Sequence, residues 1–323
     1  MPKSRGLVVL ILIVLSLASA TALAQGGVTA SSKNPNQIAV LHWYKANLTT
    51  AFGVGLSPVG TAFDGANIWV ANANSNNVTK MRASDGAQLG TFAVGATPQN
   101  LAFDGANIWV TNASSSSNSV TKLRASDGAV IGTFNVGNDP QGIAFDGTDI
   151  WVANALSNNV TKLRASDGAV LGTFSVGQFP VGVAFDGSNV WVANAQSNSV
   201  AKLRASDGVM LGTFPVGATP IGVAFDGENI WVSNQSSNNL TKLRASDGDV
   251  LGTFNVGTSP EGVAFDGANI WVANFFSNSV TKVRTADGVV LGTFNVGANP
   301  YGVAFDGTSV WVANLGSNSV SKL

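Results

Sequence analysis

The sequence predicts an all-β fold, a seven-bladed β-propeller of four-stranded antiparallel blades, which an N-terminal d strand closes by completing the C-terminal blade. A unit of about 40 residues recurs seven times, and its F-D-G landmark is spaced by 40 residues except for one step of 42, where Ser115 and Ser116 lengthen a loop. Self-similarity at this period indicates a repeat architecture. The landmark phenylalanines are Phe63, Phe103, Phe145, Phe185, Phe225, Phe265 and Phe305.

Each unit contains four short segments, here named a to d, that are rich in Val, Ile, Phe, Trp and Thr. These residue types favour β-strands. An Asp-Gly pair precedes both b and d, and glycine tolerates the positive φ of a tight turn. No window shows the helical spacing of apolar residues, so four antiparallel strands per unit predict a propeller blade. In the fourth unit the segments are residues 181–185, 190–194, 200–204 and 210–216.

The two ends of the chain predict a closed ring. The last unit stops at Leu323, in strand c, and lacks the d-strand motif G-T-F-x-V-G that the other units have. Residues 50–55, T-A-F-G-V-G, supply that missing strand at the front of the chain, and closure leaves no blade unfinished. Residues 38–44 also align loosely with strand c. They could compete with residues 319–323 for the c position of the last blade or pack as an extra edge strand, and the sequence leaves both open.

Three large aromatic positions recur in every unit: the Phe of F-D-G, the Trp of W-V and the Phe of strand d. Each ring buries about 150–250 Å² when it is packed, so we expect all three between adjacent blades. The recurrent aromatics are therefore interpreted as packing residues. The tryptophans are Trp69, Trp109, Trp151, Trp191, Trp231, Trp271 and Trp311.

The N-terminus predicts export. Residues 1–24 have a basic start, an apolar run and a small-residue cleavage site that ends at Ala24, which is the pattern of a signal peptide. The apolar run is shorter than the about 20 residues that a membrane span needs, although an uncleaved anchor is an alternative. We interpret residues 25–36 as a flexible leader and residues 37–323 as one propeller domain. We expect a periplasmic, secreted or cell-surface protein that is not integral to the membrane.

The amino-acid composition argues against several classes of function. The chain has no cysteine, which excludes disulfides and thiolate chemistry. Charged residues make up only 11% of the chain, and Lys and Arg recur once per unit rather than forming a basic stripe. Nucleic-acid binding is therefore not expected. We expect a monomer without a cofactor.

The unit resembles a known family. W-V-A-N followed by S-N-x-V-T-K-L, and then V-G-x-x-P-x-G-V-A-F-D-G, is similar to the YVTN-type β-propeller repeat over residues 47–323, with Trp where that family has Tyr. The resemblance implies a seven-bladed extracytoplasmic or surface propeller. It implies no catalytic motif, because the family has no single activity and related propellers include lactonases, a streptogramin lyase and quinone-dependent dehydrogenases.

Catalytic residues are scarce. His42 is the single histidine, so a Ser-His-Asp triad or a histidine-ligated zinc would have to use it. Thirteen of the 18 acids recur as turn residues, which leaves five that do not. A hydrolase or metal site needs a convergent cluster, and only Asp139 and Glu261 lie on loops that could meet near the axis. We therefore expect no catalytic residues and no metal. The five acids are Asp139, Asp149, Glu228, Asp249 and Glu261.

An asparagine closes strand b in every unit, for example Asn194. Side chains of this type bond local backbone in turns, so a structural role is favoured. The functional alternative is a ring of amides around the channel mouth that contacts a polar ligand.

Sequence differences among the units fall mainly in two of the loops, d–a and b–c. Loops d–a and b–c should share one face of the ring, and this face holds the phenylalanines that are not landmarks. Loops on a rigid scaffold are where binding residues concentrate, although drift would also produce variation. We interpret the face as the contact surface of a non-enzymatic module that binds an unidentified protein, peptide or glycan. The alternatives are a lyase or lactonase-like hydrolase at the same face, and a cell-surface structural protein. The predicted contact residues are Asp139, Gln141, Phe179, Glu261, Phe275, Phe276 and Tyr301.

Overall fold

Each repeat folds into one four-stranded antiparallel sheet in the computed structural model, which describes residues 50–323. Strand a of each blade contacts strand a of the next blade, and the last blade contacts the first, so the seven blades form a closed ring. The predicted all-β propeller is therefore confirmed. The predictions on residues 1–49, which include the signal peptide, the leader, the segment 38–44 and His42, lie outside the described residues.

The bounds of the strands follow the repeat closely. Blades 1 to 6 contain β2–β5, β6–β9, β10–β13, β14–β17, β18–β21 and β22–β25, and blade 7 contains β26–β28 together with β1. In chain order the strands are β1 (Ala51–Gly53), β2 (Pro58–Phe63), β3 (Asn67–Asn72), β4 (Asn77–Arg82), β5 (Gln88–Ala93), β6 (Pro98–Phe103), β7 (Asn107–Asn112), β8 (Ser119–Arg124), β9 (Val130–Asn135), β10 (Pro140–Phe145), β11 (Asp149–Asn154), β12 (Asn159–Arg164), β13 (Val170–Ser175), β14 (Pro180–Phe185), β15 (Asn189–Asn194), β16 (Ser199–Arg204), β17 (Met210–Pro215), β18 (Pro220–Phe225), β19 (Asn229–Asn234), β20 (Asn239–Arg244), β21 (Val250–Asn255), β22 (Pro260–Phe265), β23 (Asn269–Asn274), β24 (Ser279–Arg284), β25 (Val290–Asn295), β26 (Pro300–Phe305), β27 (Val310–Asn314) and β28 (Ser319–Lys322).

The a–b turn is held by the aspartate of F-D-G, as blade 4 illustrates. Asp186 Oδ1 accepts hydrogen bonds from the backbone N–H groups of Ser188 at 2.9 Å and Asn189 at 2.7 Å. Its Oδ2 accepts one from Trp191 Nε1 at 2.8 Å, and Gly187 supplies the positive φ of 96° that the turn requires. Burial opposes ionisation, but the hydrogen bonds prevail and lower the pKa of Asp186 below its ordinary value.

Loops d–a and b–c lie together on one face, here called the upper face, and loops a–b and c–d lie together on the lower face. In blade 4 the backbone N–H of Ala195 in loop b–c donates to the Phe179 carbonyl in loop d–a at 2.9 Å. On the lower face, the N–H of Ala205 in loop c–d donates to the Ser188 carbonyl in loop a–b at 3.1 Å. The predicted assignment of loops to faces is confirmed.

The tryptophan of each blade is the centre of the contact with the next blade. Trp191 is fully buried, and its ring lies 5.5 Å, between centroids, from that of Phe214. Lys202 Nζ lies 5.1 Å from the indole centroid and donates to the carbonyls of Ala245 and Ser246 in blade 5 at 2.6 and 3.0 Å. The lysine thus combines a cation–π contact with hydrogen bonds that join neighbouring blades. The expected position of the aromatic residues between blades is confirmed.

The ring closes as predicted, with β1 in the d position of blade 7. Phe52 pairs with Val320 of β28, and its ring lies 5.6 Å, between centroids, from that of Trp311. Lys322 Nζ donates to the Ala83 carbonyl of blade 1 at 2.7 Å, which repeats the contact that joins other blades. Strand β28 fills the c position of this blade, so residues 319–322, and not 38–44, occupy the place that the sequence left open.

The closing strand should contribute strongly to stability. Phe52→Ala removes a partly buried ring from the seam, and we expect the free energy of unfolding to fall by about 3 kcal/mol. Deletion of residues 47–55 removes β1 and should lower the melting temperature further. Urea unfolding followed by tryptophan fluorescence measures both effects. Phe276→Ala, at a ring that is 69% exposed, is the control. Unchanged stability in both closing-strand variants would contradict closure by β1.

Candidate functional site

Departures from the repeat gather around the inner end of the upper face. The residue after the proline that begins strand a differs between blades more than most positions of the unit do. Blade 6 has an acid at this position and blade 7 has the phenol of a tyrosine. In chain order the residues are Val59, Gln99, Gln141, Val181, Ile221, Glu261 and Tyr301.

A surface pocket of about 540 Å³ lies where the upper loops of blades 5, 6 and 7 meet. Four of the seven predicted contact residues line it: Glu261, Phe275, Phe276 and Tyr301. The structure thus brings together residues that are separated by up to 40 positions in the sequence. The other lining residues are Gln235, Ser236, Asn238, Thr258, Ser259 and Leu315.

Glu261 is a buried carboxyl group that has no cationic partner within residues 50–323. Only 2% of the residue is exposed, and its Oε1 accepts hydrogen bonds from Gln235 Nε2 at 2.5 Å and Ser259 Oγ at 3.5 Å. Its Oε2 is buried, and no donor of the described part of the chain bonds to it. Burial, only partly offset by these bonds, raises the pKa of Glu261 to about 7. The side chain can therefore gain or lose a proton close to neutral pH.

Three aromatic rings line the same pocket as this carboxyl group, and Phe275 lies nearly perpendicular to each of the other two. Phe275 meets Phe276 edge-on at 5.0 Å between centroids and meets Tyr301 edge-on at 6.4 Å. Phe276 is 69% exposed, whereas Phe275 and Tyr301 are half-buried. A large exposed phenylalanine beside two partly covered rings leaves aromatic faces open to a ligand.

The phenol of Tyr301 lies in a negative field. Its pKa is raised well above the ordinary value, first by burial and then by the charges of Glu261 and Asp139. Tyr301 therefore remains a neutral hydrogen-bonding group at physiological pH.

The remaining predicted contact residues lie elsewhere on the upper face. Asp139 accepts a hydrogen bond from Gln141 Nε2 at 2.7 Å, and burial raises the pKa of this aspartate. Gln141 lines a cavity at the ring axis, to which Tyr301 also contributes. Phe179 has a left-handed backbone, with φ of 53°, and lines neither the pocket nor the axial cavity. The seven predicted residues therefore do not form one continuous patch.

The axial cavity measures about 180 Å³ and is lined by the inner strands of all seven blades. Gly142 shows why small residues line it, since an added Cβ would lie 2.1 Å from the Val181 carbonyl oxygen of the next blade. Blade 2 departs from this rule with Asn100, whose N–H donates to Thr111 Oγ1 at 3.0 Å. Thr61, one of the residues that line this cavity, has a buried hydroxyl that finds no partner among the residues that the structure describes.

The asparagines that end strand b do not form a ring of amides at the channel mouth. Asn194 is fully buried and packs against Gly177, where an added Cβ would lie 2.7 Å from the Asn194 side chain. In blade 1, Asn72 Nδ2 donates to Asn77 Oδ1 and Thr79 Oγ1, both at 2.8 Å. Buried amides that bind neighbouring strands cannot reach a ligand, so the structural interpretation holds.

Within residues 50–323 the cations are held by the lower-face turns. Arginines such as Arg204 pair with the aspartate of the c–d turn, in this case Asp207 at 2.8 Å. Lysines such as Lys202 donate to c–d turn carbonyls of the next blade. Glu261 and Asp139 are therefore the upper-face carboxylates, and they have no lysine or arginine among their partners. The same part of the chain contains no group of three or more potential metal ligands from His, Cys, Asp and Glu.

No protein-family profile matches the chain. No curated protein matches it either. Among solved structures, a streptogramin B lyase is similar with a TM-score of 0.72 and 20% identity, over 84% of this chain and 95% of that one. Hydrazine synthase of Kuenenia stuttgartiensis has a TM-score of 0.72 and 19% identity, over 83% of this chain and 95% of that one. A catalytically inactive virginiamycin B lyase from Staphylococcus aureus with quinupristin has a TM-score of 0.71 and 20% identity, over 84% of this chain and 98% of that one.

These likenesses concern the fold, because identities near 20% between propellers do not carry a shared activity. The YVTN-type resemblance stays a prediction. In residues 50–323, no helix has the length and apolar character that crossing a membrane requires.

Sequence reasoning missed two groups at this site. Ser259, next to the proline of blade 6, touches the buried carboxyl group, and Ser233 Oγ donates to the Glu261 carbonyl at 2.5 Å. Ser233 stands where most units have alanine, which is a signal that the sequence offered.

The raised pKa of Glu261 predicts a pH-dependent stability. Between pH 4.5 and 7 the folded chain retains a proton that the unfolded chain has lost. The stabilising contribution is therefore present below pH 4.5 and is lost as the pH rises to 7. The unfolding free energy of Glu261→Gln minus that of wild type should therefore increase by roughly 3 kcal/mol when the pH is raised from 4 to 8.

Urea titrations of both proteins at several pH values measure this difference. Glu228→Gln, at an exposed carboxylate on the lower face, is the matched control. A stability difference between wild type and Glu261→Gln that does not change with pH would show that Glu261 is not buried as described.

Proposed function

We propose that this chain is an exported, non-enzymatic binding protein that holds a protein, peptide or glycan ligand in the upper-face pocket between blades 5, 6 and 7. The observation that carries the proposal is that residues departing from the repeat line one pocket. A volume of about 540 Å³ suits a small ligand or the side chains of a larger one. The signal-like residues 1–24 support export to the periplasm, the medium or the cell surface.

Drift alone does not account for the composition of the pocket. Blades 3 and 4 fill the positions of Phe275 and Phe276 with Ala-Leu and Ala-Gln and keep the same fold. Packing therefore does not require aromatic residues at these positions. Exposed aromatic rings next to a buried carboxyl group are typical of binding sites.

Acid–base catalysis in the same pocket is a second candidate, because Glu261 has a pKa of about 7. A general base or acid works best with a pKa near the operating pH. The descriptions of two structural neighbours name lyases. However, the chain has a single histidine, outside the described residues, and no second carboxylate from residues 50–323 lines the pocket. Binding is therefore the better supported function.

A consensus variant tests the proposal without altering the scaffold. The substitutions E261V, F275A, F276Q and Y301V replace four pocket residues by those of blade 4, which the fold already accommodates. Peptide and glycan libraries are screened against the full chain by ligand-observed NMR. We expect the ligands found with wild type to lose at least about tenfold in affinity for the variant, because several contacts are removed together.

Glu228→Gln on the lower face serves as the control and should leave the affinities unchanged. Ligands that bind the consensus variant as tightly as wild type would place the binding surface elsewhere. A ligand that wild type converts, and that Glu261→Gln binds without converting, would favour catalysis instead.

A further inference from the structure

We propose that the ligand of this pocket presents a cationic nitrogen, an ammonium or quaternary ammonium group, which sits between the Glu261 carboxylate and the rings of Phe275, Phe276 and Tyr301. The inference rests on the proposed function and adds the chemical class of the ligand. It depends on three features of the described residues: an unpartnered carboxylate oxygen, open aromatic faces and a surface without cations.

The first feature is the unpartnered carboxylate oxygen of Glu261. Glu261 Oε2 is buried, and no donor within residues 50–323 reaches it, whereas Oε1 is bound by Gln235 and Ser259. Buried acceptors are usually paired in folded proteins. The other unpartnered side-chain oxygens within residues 50–323 belong to neutral amides and a hydroxyl, whereas Glu261 Oε2 belongs to a group that can carry a charge. A cation in the adjoining pocket would supply both a partner and a compensating charge.

The second feature is the group of aromatic rings of Phe275, Phe276 and Tyr301. Aromatic faces attract cations through the negative charge of the π-system, and quaternary ammonium groups are bound in this way by cages of aromatic side chains. Phe275 stands at 86° to Phe276 and at 84° to Tyr301, so the three rings bound a corner and do not form a flat stack. A rounded, weakly hydrated cation fits such a corner better than a planar or anionic group does.

The charge of the surrounding face favours the same ligand. Asp139 is the other carboxylate of the upper face, and its charge and that of Glu261 both raise the pKa of Tyr301. Gln235 and Ser259, which touch Glu261, are neutral. The lysines and arginines of the described chain bind turns of the lower face. A cation therefore meets attraction at this pocket and an anion meets repulsion.

Proton release gives the proposal a distinctive signature. Near neutral pH about half of the Glu261 side chains carry a proton, which a bound cation would displace. The groups that face Glu261 are Gln235 and Ser259, which are neutral, and Tyr301 lines the same pocket and feels the charges of both Glu261 and Asp139. The affinity for a cation should rise by about tenfold between pH 6 and pH 8, whereas that for a neutral ligand should not.

Choline and its neutral isostere 3,3-dimethylbutan-1-ol are the probes, and isothermal titration of the full chain at pH 6, 7 and 8 is the measurement. We expect choline to bind at least about tenfold more tightly than the isostere at pH 8, because it alone carries the charge. Glu261→Gln should weaken choline binding by about tenfold or more and abolish its pH dependence. F275A/F276Q, which takes the residues of blade 4, should weaken it several-fold.

Glu228→Gln is the matched control and should bind choline as wild type does. Thermal melts of each variant establish that it is folded, and F275A/F276Q provides a second route if Glu261→Gln unfolds. Equal affinity for choline and its isostere would overturn the cationic ligand but leave the proposed binding function intact. Absence of choline binding at millimolar concentration would also overturn it, and the library screen then decides the binding function by itself.

Discussion

The contact between the tryptophan of one blade and the lower turn of the next is the interaction on which the rest of this ring depends. Each indole is stacked against a d-strand phenylalanine, bound to the aspartate of F-D-G and covered by a lysine, as Trp231 is by Phe254, Asp226 and Lys242. In blades 1 to 5 and blade 7 that lysine also binds a carbonyl of the following blade. Ring closure needs no separate device, because Lys322 and Phe52 reproduce the same contact between the two ends of the described chain.

This arrangement explains why variation is concentrated on the upper face. Side chains of the lower loops already hold the fold, since the aspartates bind indoles and backbone N–H groups and the arginines bind aspartates. The upper loops are joined largely through backbone groups and through the asparagine and serine of S-N, as in the bond from Ala195 to Phe179. Residues such as Leu156, Gln196 and Phe276 can therefore change without loss of the blade. The scaffold fixes the lower face and leaves the upper face free for function.

Much of the fold, but only part of the site, could be predicted from the sequence. Periodicity and the missing d strand predict the blades and their closure, because both depend on local pattern and on counting strands. The contact between Glu261 and Gln235 could not be predicted, since it joins two blades and depends on the spacing between them. For the same reason, residues assigned together to the upper face separate into a pocket, which includes Phe275, and distant positions such as Phe179. The role of the strand-ending asparagines, such as Asn194, was settled by their burial.

Glu261 is the residue that the needs of the fold do not explain. At the same position, blades 4 and 5 have Val181 and Ile221, which require no hydrogen-bond partner. A carboxyl group there destabilises the folded state near neutral pH, because burial disfavours its charge and no lysine or arginine of residues 50–323 is among its partners. Gln235 and Ser259 satisfy one oxygen, and the other has no partner in that part of the chain. Ionisable groups with strongly shifted pKa values are concentrated at functional sites. The cationic ligand that we propose would compensate for this buried acid.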